Sequence, residues 1–250
     1  MKKKRLIMVQ GWGQLGASLE AVAALYRGDV EVELTSVYEL LSDDANQEES
    51  SDEQYPETCS PYVRQLARRL ASEPGQVVGI SMGGLVALEL AATFPALVER
   101  MVLVSSTACF LSRQVEGAFY QAVHPAALRA MMVSLKIAPT TTLQQFFRRV
   151  YSSTRLARER ATAAAALDLD RLQHGLRYLE QRDLRSSLGS ILQPVLVLHG
   201  TNDRVIPAAC SEYLAAKLPH GTLRLLPGEE HGVLQESPQH IVKAMERFLW

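Results

Sequence analysis

The six residues Gly79-Ile80-Ser81-Met82-Gly83-Gly84 decide the fold of this chain. The apolar run Gln76-Val77-Val78 precedes them, and a stretch of Leu, Ala and Glu without proline follows as far as Thr93. This order predicts a strand, a sharp turn and a helix, with Ser81 at the turn. Such a corner strains the serine backbone and leaves no room for a Cβ at the flanking glycines. The pattern indicates a nucleophile elbow rather than an ordinary small-residue turn.

Two later loops supply the partners that a serine nucleophile needs. The predicted strand 194–198 leads into Asp203, and the predicted strand 222–226 leads into His231. Because open parallel sheets place their sites at the carboxyl ends of strands, Ser81, Asp203 and His231 should meet there. Each residue alone could be a turn aspartate or a surface histidine. The chain order Ser, Asp, His favours a catalytic triad, with His231 as the base and Asp203 orienting it.

The first predicted strand, Leu6 to Val9, ends in a glycine-rich turn that contains Trp12. With the elbow in place, the backbone N–H groups of Trp12 and Met82 form the expected oxyanion hole. The glycines of this turn also match the G-x-G-x-x-G spacing of a dinucleotide site. A bulky tryptophan inside the turn and the lack of an acidic residue after the next strand weigh against that alternative. We expect no cofactor, and no histidine–carboxylate spacing indicates a metal.

Composition indicates one soluble domain. The chain has 250 residues, of which 47% are hydrophobic, and a formal net charge of -1. That balance gives no basic field for nucleic acid. Three scattered cysteines indicate a reducing compartment. The charged start is followed by an apolar run too short for a signal peptide or a membrane span. We expect a cytoplasmic monomer that binds neither nucleic acid nor membrane.

Strands and helices alternate except in one region. A helix is predicted over 17–26, an edge strand over 30–34, and a helix from Ser60-Pro61 to Leu70, while the acidic stretch Ser42–Glu53 should be a solvated loop. From Cys109 to Ser187 the pattern is helical, over 117–135, 142–151 and 156–181. We therefore predict an α/β fold with a mostly parallel, doubly wound sheet. Residues 1–108 and 188–250 form its core, and residues 109–187 form an inserted helical lid.

Several longer stretches are similar to one known family. They are Val9-Gln10-Gly11-Trp12-Gly13, Ile80 to Ala87, Val104 to Phe110, and the lid stretches 142–147, 175–179 and 183–185. On these the chain resembles the α/β-hydrolase superfamily over its whole length. Within it, the chain resembles the carboxylesterases of biotin synthesis that hydrolyse pimeloyl-[acyl-carrier protein] methyl ester. Gln10 stands where that family usually has histidine, and the acidic stretch Ser42–Glu53 replaces its D-x-P-G-x-G-x-S turn.

The resemblance implies a reaction and a partner. Ser81 would attack the methyl ester of a pimeloyl chain carried by an acidic acyl-carrier protein, which would dock on a basic lid face. The implied chain-binding residues are Trp12, Phe110, Phe146 and Phe147. The implied docking residues are Arg148, Arg149, Arg155 and Arg158, with Arg160 in the same cluster. Ordinary lid packing and a solvated helix face would explain these two groups equally well.

Two further functions stay open on the sequence alone. One is a different lid-bearing enzyme of the superfamily: a short-chain esterase, a thioesterase or a lyase-type relative in quinone synthesis. The other is a catalytically silent hydrolase fold that binds a ligand or partner, which the intact Ser81, Asp203 and His231 disfavour.

Overall fold

The computed structural model describes residues 4–26, 29–45, 55–56, 58–115 and 118–250. Its strands are β1 (Lys4–Gln10), β2 (Val30–Ser36), β3 (Gly75–Ile80), β4 (Val98–Val104), β5 (Arg113–Val115), β6 (Ala118–Tyr120), β7 (Val195–Gly200) and β8 (Gly221–Leu226). Six of these strands form an all-parallel sheet in the order β2-β1-β3-β4-β7-β8. The other two, β5 and β6, form a small antiparallel pair.

Helices cover both faces of this sheet. They are α1 (Glu20–Ala23), α2 (Val37–Ala45), α3 (Pro61–Leu70), α4 (Met82–Thr93), α5 (Pro125–Ile137), α6 (Pro139–Val150), α7 (Thr154–Ala164), α8 (Leu169–Gln181), α9 (Ala208–Lys217), α10 (Val233–Glu236) and α11 (Pro238–Leu249). Short 3₁₀ turns occur at Gly16–Leu19, Pro95–Leu97 and Arg185–Ser190. Within the described ranges, no helix is both long and apolar enough to cross a membrane.

The continuous apolar runs of the sequence correspond to strands that are buried on both faces. Along β1, Ile7 and Val9 pack into the same cluster as Leu66 of α3, whereas Leu6 and Met8 pack with Met245 of α11. All six residues of β3 are buried. The sheet therefore lies between two helical layers, which confirms the doubly wound fold expected from the sequence.

Local sequence signals set several boundaries correctly. Helix α3 begins at Pro61 and ends at Leu70 as predicted, because the Ser60 side chain caps it by accepting from the N–H of Val63. Strand β2 lies at the sheet edge, also as predicted. The three cysteines are free and buried, in agreement with the prediction of no disulfide framework.

Three helical predictions were wrong in their extent. The stretch 117–135 is helical only from Pro125, because proline disfavours a helical residue before it, and 118–120 forms a strand instead. The stretch 156–181 is two helices, since α7 ends at Ala164 and the Asp168 side chain caps α8. The stretch 17–26 holds one 3₁₀ turn and one α-helical turn, with i-to-i−3 bonds at its end.

The acidic stretch Ser42–Glu53 was predicted as a loop, and its first part is not one. Residues 42–45 belong to the end of α2, a helix that the sequence pattern did not reveal. Residues 46–53 lie outside the described part of the chain, so the predicted loop stays a prediction there.

Residues 109–187, which we call the lid segment, connect β4 to β7. Its two ends are joined, because the N–H of Leu184 donates to the carbonyl of Ala108 at 2.9 Å and Cys109 bridges to Asp183. It carries the hairpin of β5 and β6, and then α5 to α8. We propose that this segment is an inserted structural unit on the sheet, as the sequence predicts.

A buried carboxylate fastens α8 to the core. Glu89 of α4 is 3% exposed and accepts from the N–H of Ser60 at 2.9 Å and from the hydroxyl of Tyr178 at 2.6 Å. The guanidinium of Arg182 lies 3.1 Å away. Burial and the Glu89 charge hold the pKa of Tyr178 well above its usual value, so the phenol stays a neutral donor. Because each partner satisfies this buried charge, removing one would be costly.

Candidate active site

Ser81 occupies the predicted strained corner between β3 and α4. Its backbone has φ 53° and ψ -120°, a region that residues other than glycine rarely adopt. A Cβ at Gly79 would lie 2.5 Å from the Cα of Gly84, and a Cβ at Gly83 would collide with the carbonyl oxygen of Val9. The structure therefore confirms why this turn requires glycine on both sides of the serine.

Ser81, His231 and Asp203 meet at the carboxyl edge of the sheet. The His231 Nε2 atom lies 3.0 Å from the Ser81 Oγ atom, and its Nδ1 atom lies 2.7 Å from Asp203 Oδ2. His231 is only 4% exposed. A hydrogen bond to its backbone holds the loop, because the Ser105 hydroxyl donates to the His231 carbonyl at 2.9 Å. This geometry allows a proton to pass from the hydroxyl to an imidazole that a carboxylate orients.

The carboxylate of Asp203 is inaccessible to solvent and has four donors around it. Its Oδ1 atom accepts from the N–H groups of Val205 and Ile206 at 2.7 and 2.8 Å, and its Oδ2 atom faces His231 and His199. Burial alone would raise the pKa of Asp203. The charge of His231 and the hydrogen bonds from both imidazoles outweigh burial and hold this pKa well below its usual range. Asp203 therefore stays ionised at any working pH.

His199, near the end of β7, contacts this site in a way that the sequence did not reveal. It is fully buried, and its Nε2 atom lies 3.1 Å from Asp203 Oδ2 and 3.0 Å from the carbonyl of Ile206. Since both of these neighbours can only accept, Nε2 carries a proton. The Nδ1 atom contacts the Ser211 hydroxyl at 2.6 Å. Asp203 thus lies between two imidazoles.

The turn after β1 lies against the elbow. A Cβ at Gly11 would lie 2.9 Å from the Ser81 Cβ and 3.4 Å from the backbone nitrogen of Met82. Met82 is the first residue of α4, so its N–H has no acceptor within the helix. The backbone around Trp12 and the N–H of Met82 therefore flank Ser81, as an oxyanion hole requires.

Gln10 replaces the histidine usual at its position and supports this turn. It is fully buried. Its side-chain oxygen accepts from the N–H of Gly11 at 2.8 Å, and its side-chain nitrogen donates to the Ser18 hydroxyl at 2.9 Å. A neutral amide thus holds the turn through Gly11 and Ser18 without adding a titratable group beside His231.

The space directly at Ser81 is small, and a larger cavity lies beyond Phe146. The first, of about 10 Å³, is lined by Trp12, Phe146 and His231 among others. The second, of about 270 Å³, lies between α5, α6 and the loop after β7, and it is lined by Phe110, Phe146 and Val205 among others. Phe146 is a wall of both spaces, so its ring separates the serine from the larger cavity.

The implied chain-binding residues divide into two groups. Phe110 and Phe146 line the 270 Å³ cavity, and the Trp12 ring meets Phe146 edge-on at 5.0 Å. Phe147 is fully buried and stacks on Tyr151 at 6.2 Å between centroids, below the turn at Gly13. The structure brings three of the four aromatic rings to the cavities and places Phe147 in the packing beneath them.

The lid arginines do not form one surface patch. Arg148 and Arg149 are exposed at the end of α6, and Arg149 borders the 270 Å³ cavity together with Arg204. Arg155 pairs with Glu159 at 2.7 Å and borders a different groove of about 450 Å³, which Glu229, Glu230 and Glu236 make acidic. Arg158 is exposed on α7, and Arg160 turns inward to donate to the Ser18 carbonyl at 3.4 Å.

A serine, an aspartate and a histidine in this chain order, meeting at the carboxyl edge of a parallel sheet, are typical of one class of protein. A model of the Alpha/beta hydrolase family matches residues 6–244, and the chain belongs to this family. The hydrolase from Oleispira antarctica has the same fold, with a TM-score of 0.84 at 14% identity over 100% of this chain and 92% of its own.

Curated relatives narrow the class further. A pimeloyl-[acyl-carrier protein] methyl ester esterase from Nitrosomonas europaea is 30% identical over 96% of this chain and 94% of its own length. A second esterase with that description, from Aromatoleum aromaticum, is 32% identical over 68% of this chain and 72% of its own. These relatives support a carboxylic ester hydrolase of this family.

Proposed function

We propose that this chain is a serine carboxylesterase that hydrolyses the methyl ester of pimeloyl-[acyl-carrier protein], releasing methanol, in biotin synthesis. The observation that carries the reaction type is the hydrogen-bonded series from Ser81 through His231 to Asp203. The substrate is supported by the names of the relatives and by the 270 Å³ cavity that lies on the other side of Phe146 from Ser81.

The geometry supports a two-step acyl transfer. His231 Nε2 takes the proton of Ser81 as the serine oxygen attacks the ester carbonyl, and Asp203 stabilises the resulting imidazolium. The N–H groups of Trp12 and Met82 stabilise the oxyanion. His231 returns the proton to the departing methoxide, so methanol leaves and an acyl-serine remains. His231 then takes a proton from a water molecule as that water attacks the acyl-serine. The free carboxylic acid is released, and the serine hydroxyl is regenerated.

Cavity sizes suit a methyl ester at the end of a longer apolar chain. The space at Ser81, about 10 Å³, is close to the minimum that holds one water molecule, so it suits a methyl-sized leaving group. The adjoining cavity of about 270 Å³ has mostly apolar walls, including Phe110 and Met131. An acyl chain there would reach the serine past Phe146, and burial of its methylenes would contribute about 0.8 kcal/mol each.

An acidic carrier should dock at Arg148 and Arg149, beside that cavity. The carbonyl of Arg148 is held by Arg204, whose guanidinium also pairs with Glu230 at 2.9 Å. Arg149 and Arg204 thus line the cavity, and exposed Arg148 precedes Arg149 at the end of α6. The 450 Å³ groove on the Arg155 side is acidic and would repel such a carrier. The other docking residue implied by the resemblance, Arg158, belongs to the same helix as Arg155 and is proposed as a secondary contact.

Hydrolysis of two matched substrates tests this function. Purified protein is incubated with pimeloyl-[acyl-carrier protein] methyl ester and with dimethyl pimelate, and mass spectrometry follows the loss of one methyl group from the carrier. We expect a much larger kcat/KM for the carrier-linked ester. Equal values for the two esters would favour a general short-chain esterase, and no turnover of either would contradict the proposed reaction.

A genetic test addresses the pathway. Expression of the chain should restore growth without biotin in a bacterial strain that lacks its own methyl ester esterase, and the Ser81→Ala variant should not. A soluble, active protein that fails to restore growth would contradict the role in biotin synthesis while leaving esterase activity intact.

A further inference from the structure

Helix α8 of the lid segment touches both residues of the proposed oxyanion hole. A Cβ at Gly175 would lie 2.7 Å from Cδ1 of Trp12 and 3.6 Å from Sδ of Met82. The first distance is shorter than real Cβ contacts allow, so the Trp12 ring lies directly on the backbone of α8 because this position has no side chain. This part of α8 therefore lies against the side chains of the two residues whose backbone N–H groups we assign to the oxyanion hole.

A buried hydrogen bond adds to this contact. The indole Nε1 of Trp12 donates to the carbonyl of Leu172 in α8 at 2.8 Å, and Trp12 is only 5% exposed. On its other side the ring meets Phe146 of α6 edge-on. Leaving the buried N–H without an acceptor would be unfavourable, so the ring has one preferred position when α8 is in place.

The backbone of Trp12 needs such an external restraint. Its neighbours in the chain are Gly11 and Gly13, and Gly13 has φ 73°. Gln10 holds the N–H of Gly11 on one side of Trp12, but the two flanking glycines permit many backbone conformations at Trp12 itself. The side chain, held by the lid, is what can fix the direction of the Trp12 N–H.

We propose that α8 positions the oxyanion hole, with Leu172 and Gly175 as positioning residues that act through Trp12. This inference rests on the proposed function, because it assigns a catalytic use to the Trp12 N–H. It makes the lid part of the catalytic geometry as well as a cover. A ligand that shifts α8 changes the rate of the chemical step, not only access to Ser81.

Two variants test the proposal in different ways. Gly175→Ala pushes the Trp12 ring away from α8, and Trp12→Phe keeps an aromatic ring but removes the indole donor. Gly189→Ala is the matched control, because a Cβ there has no atom within 4 Å among the described residues. Loss of a complete oxyanion donor lowers kcat by about 10²–10³-fold. We therefore expect kcat to fall by about 10–100-fold in Gly175→Ala and by about 3–10-fold in Trp12→Phe.

The readouts separate positioning from general damage. With a small p-nitrophenyl ester, kcat should fall while KM changes by less than about threefold. Affinity for a boronic acid, whose serine adduct places an oxygen in the oxyanion hole, should fall by about the same factor as kcat. Thermal unfolding of each variant checks its folding, and Trp12→Phe decides the matter if Gly175→Ala does not fold.

The results also distinguish this inference from the function on which it rests. If the wild-type protein hydrolyses the ester and Trp12→Phe keeps kcat and boronate affinity within twofold, the positioning role is overturned. A loss of kcat/KM that comes from KM alone overturns it as well. If the wild-type protein hydrolyses no ester, the proposed function fails first and this inference fails with it.

Discussion

Replacing His199 should impair catalysis although this residue does not contact Ser81 in the structure. His199 donates one of the two imidazole hydrogen bonds to Asp203 Oδ2, at 3.1 Å, and the other comes from His231. In His199→Ala, one donor is lost from a carboxylate that is inaccessible to solvent. Asp203 would then be held by three donors instead of four, and the orientation of His231 toward Ser81 would be less well defined.

The contacts of His199 give the expected magnitudes. A hydrogen bond to a buried charged group contributes about 1.5–3 kcal/mol, and the Ser211 hydroxyl and Ile206 carbonyl each lose a partner. We expect the free energy of unfolding to fall by about 3 kcal/mol. Disabling the aspartate of a triad altogether costs about 10⁴ in kcat. Because Asp203 keeps its other three donors, we expect kcat of His199→Ala to fall by only about 10–100-fold.

The assay compares the wild-type protein and three variants on one soluble ester. Steady-state kinetics give kcat and KM, and urea denaturation gives the free energy of unfolding. His199→Gln provides a conservative variant, since its amide nitrogen can take the place of Nε2, and it should recover most of kcat. His220→Ala is the control, because His220 is exposed at the end of the α9 region and should tolerate the change.

A specific combination of results would refute this reasoning. If His199→Ala has a lower free energy of unfolding but keeps kcat within twofold of the wild type, His199 contributes to stability and not to catalysis. Failure of His199→Gln to exceed His199→Ala in kcat, with both folded, would show that the donor to Asp203 has no effect on the chemistry.

Three other predictions concern Arg149 at the 270 Å³ cavity, the effect of pH on Asp203, and Phe146 between the two cavities. Arg149→Glu should raise KM for the carrier-linked ester about tenfold and leave a small ester unaffected, whereas exposed Arg247→Glu on α11 should change neither. Because the folded pKa of Asp203 is depressed, its contribution to stability is present above its unfolded pKa of about 4 and is lost as pH falls toward the folded value. Urea denaturation should therefore show that, as the pH falls, the free energy of unfolding decreases less in Asp203→Asn than in the wild-type protein. Phe146→Ala should improve kcat/KM for a benzyl ester relative to a methyl ester by about tenfold, and an unchanged ratio would contradict its role as a wall.

The elbow and its two partners could be predicted because each depends on a local pattern. Ser81 follows an apolar run and precedes a helix-forming run, and the strained φ of 53° results from that junction. Asp203 and His231 each follow a strand of a parallel sheet, so their meeting requires only the fold. The limits of α3 were equally local, since Ser60 and Pro61 cap and start that helix.

The lid was predicted less well because its structure depends on contacts between distant residues. Helical periodicity over 156–181 does not show where Asp168 ends one helix and begins another. A cluster of arginines in the sequence does not show which helix face each one occupies, and the structure separates Arg149 from Arg155. Nor could the bond from the Trp12 indole to Leu172 be inferred, because these residues lie 160 positions apart.

His199 shows a similar limit at the site itself. Its hydrogen bond to Asp203 depends on how the loop after β7 turns back, which no local pattern shows. Gln10 is a related case, because the departure from histidine was visible in the sequence while the bonds to Gly11 and Ser18 were not.

Labelling with a serine-directed fluorophosphonate tests the central claim most directly. The reagent should form one covalent adduct with the wild-type protein, and peptide mass spectrometry should locate it on Ser81. Ser81→Ala should not be labelled, and His231→Ala should be labelled much more slowly because the base is missing. An adduct on another residue, or labelling of Ser81→Ala at the wild-type rate, would contradict the claim that Ser81 is the activated nucleophile.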